Sequence, residues 1–228
     1  MLFPAGNLTP KRGDFALMPL AQLCDVRLEL GRRPVLTGLD LIVEAGERVG
    51  IAGPNGVGKT TLLSVLATLR PPAGGDGQVL GARLGSEAAY AVRPRIGWSG
   101  HEPALYDELT LADNLAHFAR LAGKDGSRAE ALLGDVGLAG VARRRARFCS
   151  NGMRRRADLA RLLMTDPELV LLDEAHAGLD ADAVVIVDVI CRRAIAGGGA
   201  VVMVSHDAAG LTHQVDRVVT MVNGRLVP

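Results

Sequence analysis

The sequence lacks three features that would each indicate a particular class of protein. It holds only three cysteines, Cys24, Cys149 and Cys191, and their wide separation matches no metal-binding spacing and does not indicate a structural disulfide. No apolar run reaches the roughly 18 residues that a membrane-spanning helix needs, so we expect a chain that does not span a membrane. Lys and Arg number 26 against 25 Asp and Glu, and this near-neutral balance argues against nucleic acid as a partner.

The start of the chain also lacks the apolar core of a signal peptide. Residues 1–20 carry Lys11, Arg12 and Asp14 in a stretch punctuated by Pro and Gly, so we expect them to form a loose extension. A length of 228 residues suits one compact domain with room for a subdomain. We therefore expect the folded domain to occupy residues 21–228.

The sequence does contain a glycine-rich segment that fits the phosphate-binding pattern G-x-x-x-x-G-K-[ST]. It lies between an apolar stretch and an apolar, helix-like run, and it reads Gly53, Pro54, Asn55, Gly56, Val57, Gly58, Lys59 and Thr60, with Thr61 following. The glycines let consecutive N–H groups point at a phosphate, and the helix that follows aims the positive end of its dipole at the same place. We expect Lys59 to reach the β- and γ-phosphates of a nucleotide and Thr60 to bind Mg²⁺.

Short apolar runs alternate with helix-like stretches and predict an α/β fold with a mostly parallel core sheet. The strand-like runs are residues 25–30, 39–43, 49–52, 170–172, 201–204 and 218–222. Turn-rich sequence in about the first fifty residues predicts an antiparallel β piece attached to the edge of this sheet. Residues from about 105 to 163 are rich in Ala, Leu and Arg, and this region predicts a helical subdomain.

A second chemical feature is an apolar strand that ends in Asp173 and Glu174. In open α/β sheets ligands bind beyond the carboxyl ends of strands, so we expect Asp173 beside the glycine-rich segment, where it can hold Mg²⁺. Glu174 can then orient and polarise a water for attack on the γ-phosphate. Alone, such a strand is more often an ordinary one with solvated acids, and the upstream phosphate loop makes the functional interpretation the better one.

The motifs follow one another in a familiar order, and the chain resembles the ATP-binding subunit of an ABC transporter over residues 21–226. Ser150-Asn151-Gly152-Met153 stands in the place of the family's signature loop, Ala177 to Asp180 resembles its D-loop, and His206 resembles its switch histidine. The resemblance implies a P-loop NTPase fold with an N-terminal antiparallel β subdomain and an inserted α-helical subdomain.

The resemblance further implies a composite site. In this family two ATP-binding subunits pair head to tail, and each ATP lies between the phosphate loop of one and the signature loop of the other. Ser150 and the backbone near Gly152 would donate to the γ-phosphate from a helix N-terminus, Asp180 would add a further ATP contact, and Lys59, Glu174 and His206 would be catalytic. The implied partners are a second copy and a membrane-embedded transporter subunit, with ATP and Mg²⁺ bound at the cytoplasmic face of the membrane.

Three places depart from the family pattern. The signature usually reads Leu-Ser-Gly-Gly-Gln, and here Asn151 and Met153 replace a glycine and the glutamine. We expect Asn151 to tolerate a left-handed backbone, whereas Met153 cannot make the polar contacts of glutamine. His101 replaces a glutamine that would contact water near Mg²⁺, and it titrates near neutral pH; the alternative is a surface histidine beside a turn. Leu30 holds the place of an aromatic residue that stacks on adenine, so we expect only apolar contact there.

The departures point to a subgroup. Gly100 to Pro103, the following residues 105–110, and a signature that ends Gly152-Met153-Arg154 are similar to haem exporters linked to cytochrome c maturation. The assignment of haem as the transported compound rests here on analogy. Two alternatives stay open, namely a nucleotide-dependent regulator unconnected with transport and a degenerate subunit that binds ATP as a scaffold. The short chain argues against the first, and Glu174 and His206 argue against the second, which the altered signature keeps open.

Overall fold

The computed structural model describes residues 19–174 and 181–227. Most of the expected N-terminal extension, residues 1–18, lies outside the described residues, and so does the predicted D-loop with Asp180. Within the described part, the chain forms two β-sheets with helices packed around them. The predicted α/β class is confirmed.

The described residues form ten strands and seven α-helices. The strands are β1 (Ala21–Leu30), β2 (Arg33–Val43), β3 (Arg48–Ala52), β4 (Gly74–Val79), β5 (Ala82–Arg83), β6 (Ile96–Ser99), β7 (Leu169–Asp173), β8 (Ala200–Ser205), β9 (Arg217–Val222) and β10 (Arg225–Val227). The helices are α1 (Lys59–Leu66), α2 (Ala88–Ala91), α3 (Leu111–Leu121), α4 (Ala129–Asp135), α5 (Asn151–Thr165), α6 (Ala181–Ala196) and α7 (Ala208–Thr212).

The larger sheet has six strands in the order β10-β9-β3-β8-β7-β6. All pairs from β9 to β6 are parallel, and only β10 pairs antiparallel, with β9. Every residue of β7 is buried, as expected for a strand that helices cover on both faces. Because β3, β8 and β7 are parallel neighbours, their carboxyl ends reach one edge of the sheet, where ligands bind in open α/β folds.

The smaller sheet is antiparallel and has the strand order β2-β1-β4-β5. It is larger than the predicted N-terminal piece because it also includes β4 and β5, which follow α1. Strand β4 reads Gly-Gly-Asp-Gly-Gln-Val and holds only one of the β-branched residues that mark strands in sequence. The two sheets meet where the Thr37 N–H and hydroxyl donate to the carbonyls of Gly224 (3.1 Å) and Asn223 (2.8 Å).

Helices α3, α4 and α5 occupy the region between β6 and β7, where sequence predicted a helical subdomain. Their buried residues Leu115, Leu133 and Leu159 belong to one apolar cluster with Leu172 of β7 and Ile190 of α6. These helices therefore share a core with the main sheet, and the subdomain division stays a prediction. A second cluster joins α1 to the smaller sheet and to the other side chains of β3, β7 and β8.

Candidate active site

The glycine-rich loop connects β3 to α1 at the ligand-binding edge of the larger sheet. The Gly53 N–H donates to the Ser205 carbonyl of β8 (3.2 Å), which fixes the start of the loop. Gly56 and Gly58 have φ values of 78° and 116°, in the left-handed region that favours glycine. A Cβ on Gly53 would lie 2.8 Å from the Met221 carbonyl oxygen, so a residue with a side chain does not fit at the first glycine of the loop.

Lys59 is the first residue of α1, and its side chain is buried. Its ammonium donates to the loop carbonyls of Gly53 (2.6 Å) and Pro54 (3.1 Å) and lies 3.9 Å from the Glu174 carboxylate. The predicted reach toward the β- and γ-phosphates therefore requires an exchange of bonds. An anionic phosphate is a stronger acceptor than a neutral carbonyl, so a bound nucleotide would favour that exchange.

Thr60 and Asp173, the predicted magnesium ligands, touch each other. The Thr60 hydroxyl donates to Asp173 Oδ2 over 2.7 Å, and Asp173, at the end of β7, is 5% exposed. Among the described residues no cluster of three or more His, Cys, Asp or Glu side chains could hold a metal ion. One carboxylate and one hydroxyl nevertheless fit Mg²⁺, which is held in such sites by few protein oxygens together with substrate phosphates and water.

Glu174 follows Asp173 with a φ of 51°, which is uncommon for a residue other than glycine and costs backbone energy. Its N–H donates to the Val204 carbonyl (3.0 Å). Its carboxylate accepts bonds from the Ser205 hydroxyl (3.1 Å) and the His206 N–H (2.9 Å), and it lies 3.0 Å from His206 Nδ1. The structure therefore brings Glu174 and His206 together.

Sequence reasoning missed Ser205 as part of this arrangement. Ser205 is the last residue of β8, so the rule that singled out Asp173 at the end of β7 applies to it equally. Its hydroxyl also accepts from the Asp207 N–H (3.1 Å), which orients it toward Glu174. Ser205 therefore helps to hold the Glu174 carboxylate in place.

Thr60, Asp173 and Glu174 border a cavity of about 790 Å³, and Ser205 and His206 are not among its described lining residues. Its lining includes residues 55–61, Asp173, Glu174 and His101. His101 lies on the loop after β6, and its side chain is exposed. Because it is both exposed and part of the lining, the two sequence interpretations of His101 are not exclusive.

The rest of the lining comes from two hairpin turns. Leu30, Arg33, Pro34 and Val35 come from the β1–β2 hairpin, and Asn223 and Gly224 come from the β9–β10 hairpin. Sequence reasoning found Leu30 and missed the other five. Asn223 and Gly224 have φ values of 49° and 75°, and an Asn-Gly pair with two positive φ values is the strongest short hairpin signal, so that turn was predictable.

The signature residues lie elsewhere on the chain. Ser150 caps α5, and its hydroxyl accepts the Met153 N–H over 3.3 Å. The tolerance of Asn151 for a left-handed backbone is not used here, because Asn151 is the first residue of helix α5, which Ser150 caps. Ser150 and Gly152 are exposed, and among the described residues neither belongs to the cavity lining. Burial raises the pKa of the adjacent Cys149 thiol against the lowering effect of two arginines.

Comparison with known protein families gives one match of wide extent. The sequence profile of the family described as ABC transporter matches residues 36–177. That range contains the glycine-rich loop, His101, the Ser150 cap and the Asp173–Glu174 pair. The match therefore covers more than half of the chain, whereas Ser205, His206 and the hairpin residues of the cavity lining fall outside it.

The names of curated relatives indicate different transported compounds. The daunorubicin resistance ATP-binding protein DrrA3 of Streptomyces coeruleorubidus is 41% identical over 86% of this chain, which spans 63% of that protein's length. The cytochrome c biogenesis ATP-binding export protein CcmA of Xanthomonas axonopodis pv. citri is 38% identical over 83% of this chain and 88% of its own. The aliphatic sulfonates import ATP-binding protein SsuB 2 of Burkholderia cenocepacia is 36% identical over 89% of this chain and 74% of its own.

A solved structure supports the same assignment at the level of the fold. It is described as the structure of an ATP binding subunit of an ABC transporter, and it matches with a TM-score of 0.82 and 27% sequence identity. The match covers 91% of this chain and 88% of the other. The two-sheet architecture is therefore that of known ATP-binding subunits.

Proposed function

The chain belongs to the ABC transporter family and is an ATPase of that kind, and we propose that it works as a pair of identical copies that power a membrane-embedded transporter. The observation that carries this proposal is the convergence of Thr60, Asp173 and Glu174 at one cavity, with His206 bonded to Glu174. Thr60 bonded to Asp173 supplies oxygen ligands for Mg²⁺, and Glu174 held by His206 supplies a carboxylate for water. Thr60, Asp173 and Glu174 line this cavity together with the loop that the phosphate-binding pattern predicts.

Each side chain has a definite part in this proposal. Lys59 neutralises phosphate charge, and Thr60 and Asp173 hold Mg²⁺, which supplies charge stabilisation at the transferring phosphoryl group. Glu174 orients the attacking water, and His206 fixes the Glu174 carboxylate. His101 borders the same cavity and can bond to water beside the phosphates. Gly53 and Pro54 hold Lys59 until a phosphate replaces their carbonyls.

The pairing proposal rests on where the signature residues lie. Ser150 and Gly152 are exposed at the N-terminus of a 15-residue helix, and a helix N-terminus binds anions. Neither residue lines the cavity of its own chain. A head-to-tail partner would place this helix end over the phosphates in the neighbouring cavity, so that two ATP molecules join two chains. Asp180, which lies outside the described residues, belongs to the same proposed interface.

We propose a peripheral position at the cytoplasmic face of the membrane, through contact with a membrane-embedded subunit. No described helix has both the length and the apolar character to cross a bilayer. As the transported compound we propose haem, because the resemblance to haem exporters linked to cytochrome c maturation agrees with the cytochrome c biogenesis relative CcmA. The DrrA3 relative has a slightly higher sequence identity. Haem-stimulated hydrolysis by the chain with its membrane partner would support this choice, and stimulation by an anthracycline alone would overturn it.

The test of catalysis is hydrolysis by the purified chain across a concentration series, beside Glu174→Gln. We expect the rate per chain to rise with concentration, because a pair is needed. Glu174→Gln keeps ATP binding and loses at least about a hundredfold in hydrolysis, and it accumulates ATP-dependent dimers. Glu130→Gln is the matched control, because Glu130 forms an exposed ion pair with Arg143, which contributes little.

Two results would contradict the proposal. A rate per chain that does not change with concentration would mean that one copy suffices. Full activity in Glu174→Gln would remove the proposed role of this carboxylate. ATP binding without any hydrolysis in the unaltered chain would favour the scaffold alternative.

A further inference from the structure

The loop that carries His101 extends from the edge of the larger sheet. Strand β6 is the last strand in the order β10-β9-β3-β8-β7-β6, so it has a hydrogen-bonded neighbour strand on one side only. Beyond Ser99 the chain enters residues 100–104 without a regular secondary structure. Contacts that fix this loop must therefore come from outside the sheet.

Helix α5 provides those contacts through Asp158. Asp158 Oδ2 accepts the Ser99 hydroxyl over 2.6 Å, and Oδ1 accepts the Ala104 N–H over 3.2 Å. One carboxylate therefore binds the residues on either side of residues 100–103, and His101 lies between these two attachment points.

Two arginines of the same helix complete the attachment. Arg155 donates to the carbonyl of Gly100. Arg161 donates to the Trp98 carbonyl over 2.6 Å and to Asp158 Oδ1 over 3.0 Å. Residues 155, 158 and 161 are spaced by three, so they lie on successive turns of α5. Together they bind the end of β6 and both ends of the loop.

The network is buried and charged. Asp158 is 0% exposed, Ser99 1% and Arg161 7%. Breaking a buried ion pair is strongly destabilising, yet replacing it with apolar side chains of similar volume often is not. Burial of these charges therefore gives little net stability. What they do provide is a set of directional bonds that define one position of the loop.

We propose that Asp158 is a positioning residue for ATP hydrolysis: it fixes the His101 loop to helix α5, the helix that Ser150 caps. In this arrangement His101 at the cavity and Ser150 at the proposed signature loop move as one body, because helix α5 holds both. Asp158 acts through Ser99 and Ala104, and it does not touch the cavity. The catalytic consequence of this inference rests on the proposed function. The attachment of the loop to α5 does not depend on that function.

The attachment is tested by amide hydrogen exchange in nucleotide-free protein. We expect Asp158→Asn to speed exchange in residues 100–104 about tenfold, because the Ala104 N–H loses a charged acceptor, and Ser99→Ala to speed it severalfold. Thr165→Val is the matched control, because the Thr165 hydroxyl bonds within α5, to the Arg161 carbonyl (3.1 Å). We expect no change of loop exchange in that control.

The positioning role is tested by a kinetic cycle with His101. We expect Ser99→Ala to lower kcat about tenfold, as small misplacements of catalytic groups do, and to leave KM within about twofold. In a His101→Ala background the same substitution should have no further effect on kcat. Thr165→Val should leave kcat unchanged in both backgrounds.

The outcomes separate this inference from the proposed function. Unchanged loop exchange in both Asp158→Asn and Ser99→Ala would overturn the attachment, whether or not the chain hydrolyses ATP. An equal loss of kcat from Ser99→Ala with and without His101 would show a merely structural role. Absence of hydrolysis in the unaltered chain would count against the proposed function, and the exchange measurement would still decide the attachment.

Discussion

Thr60 and Asp173 show how two distant stretches of sequence produce one chemical group. The residues are 113 positions apart, and their side-chain oxygens are 2.7 Å apart. Thr60 is there because a glycine-rich loop starts α1 next to β3, and Asp173 because β7 ends at the same edge of the sheet. Both oxygens are of the kind that Mg²⁺ prefers.

We predict that Thr60→Val raises the Mg²⁺ concentration that hydrolysis requires. Valine has nearly the same shape as threonine but no hydroxyl, so the proposed site loses one ligand, and the rate should fall at least about a hundredfold. Hydrolysis measured against Mg²⁺ concentration checks this. Thr60→Ser, which keeps the hydroxyl, should stay within about tenfold of the unaltered chain. Unaltered magnesium dependence in Thr60→Val would exclude Thr60 as a ligand.

At the scale of elements, β6 and α5 are fitted closely enough to leave no room for a side chain at Gly97. A Cβ there would lie 2.6 Å from the Pro167 ring and 2.9 Å from the Leu162 side chain. The side chain of Pro167, just before β7, is a rigid ring, so it cannot move aside easily. The edge strand that leads to His101 is thus held by packing as well as by the Asp158 network.

Gly97→Ala should therefore lower the free energy of unfolding by about 1–3 kcal/mol, the usual cost of overpacking. Urea denaturation measures it. Gly134→Ala is the control, because a Cβ at that position in α4 would lie 3.9 Å from its neighbour, and alanine favours a helix. We expect the control to be neutral or stabilising. Equal stability of Gly97→Ala and the unaltered chain would mean that β6 is packed more loosely than the structure indicates.

Sequence predicted the elements whose residues carry a strong pattern. The runs in β3, β7 and β8 are apolar and bounded by turns, so they read as buried parallel strands. Strand β4 was not predicted because glycine fills half of its positions, and because its pairing with β1 depends on residues about fifty positions earlier. The helical backbone at Asn151 was not predicted, because a local cap at Ser150 sets where α5 begins.

The candidate site was predictable to the extent that each residue belongs to a local motif. Lys59, Thr60, Asp173 and Glu174 follow from such motifs. Asp158 does not, because its partners Ser99 and Ala104 are more than fifty residues away, and nothing in the surrounding Arg-rich sequence marks it. Contacts between distant segments without a motif can be seen only once the chain is folded.

At the scale of the whole molecule, the proposed pairing assigns half of the ATP site to the cavity and the other half to the exposed cap of α5. The cavity holds the phosphate loop and the carboxylates, and the exposed α5 cap holds Ser150 and Gly152. In the proposed pairing, a second copy of the chain supplies the complementary half, and a twofold pair closes both contacts. On this proposal the ATPase is incomplete as a single chain.

The most direct test is complementation between two inactive variants. Lys59→Ala damages the cavity, and Gly152→Asp places a carboxylate at the α5 end, where a Cβ meets no atom within 4 Å and a negative charge favours the helix. Each variant alone should lack hydrolysis, and an equal mixture should recover about a quarter of the unaltered rate, because random pairing leaves one intact site in half of the dimers. A mixture as inactive as its components, or full activity in Gly152→Asp alone, would contradict the composite site.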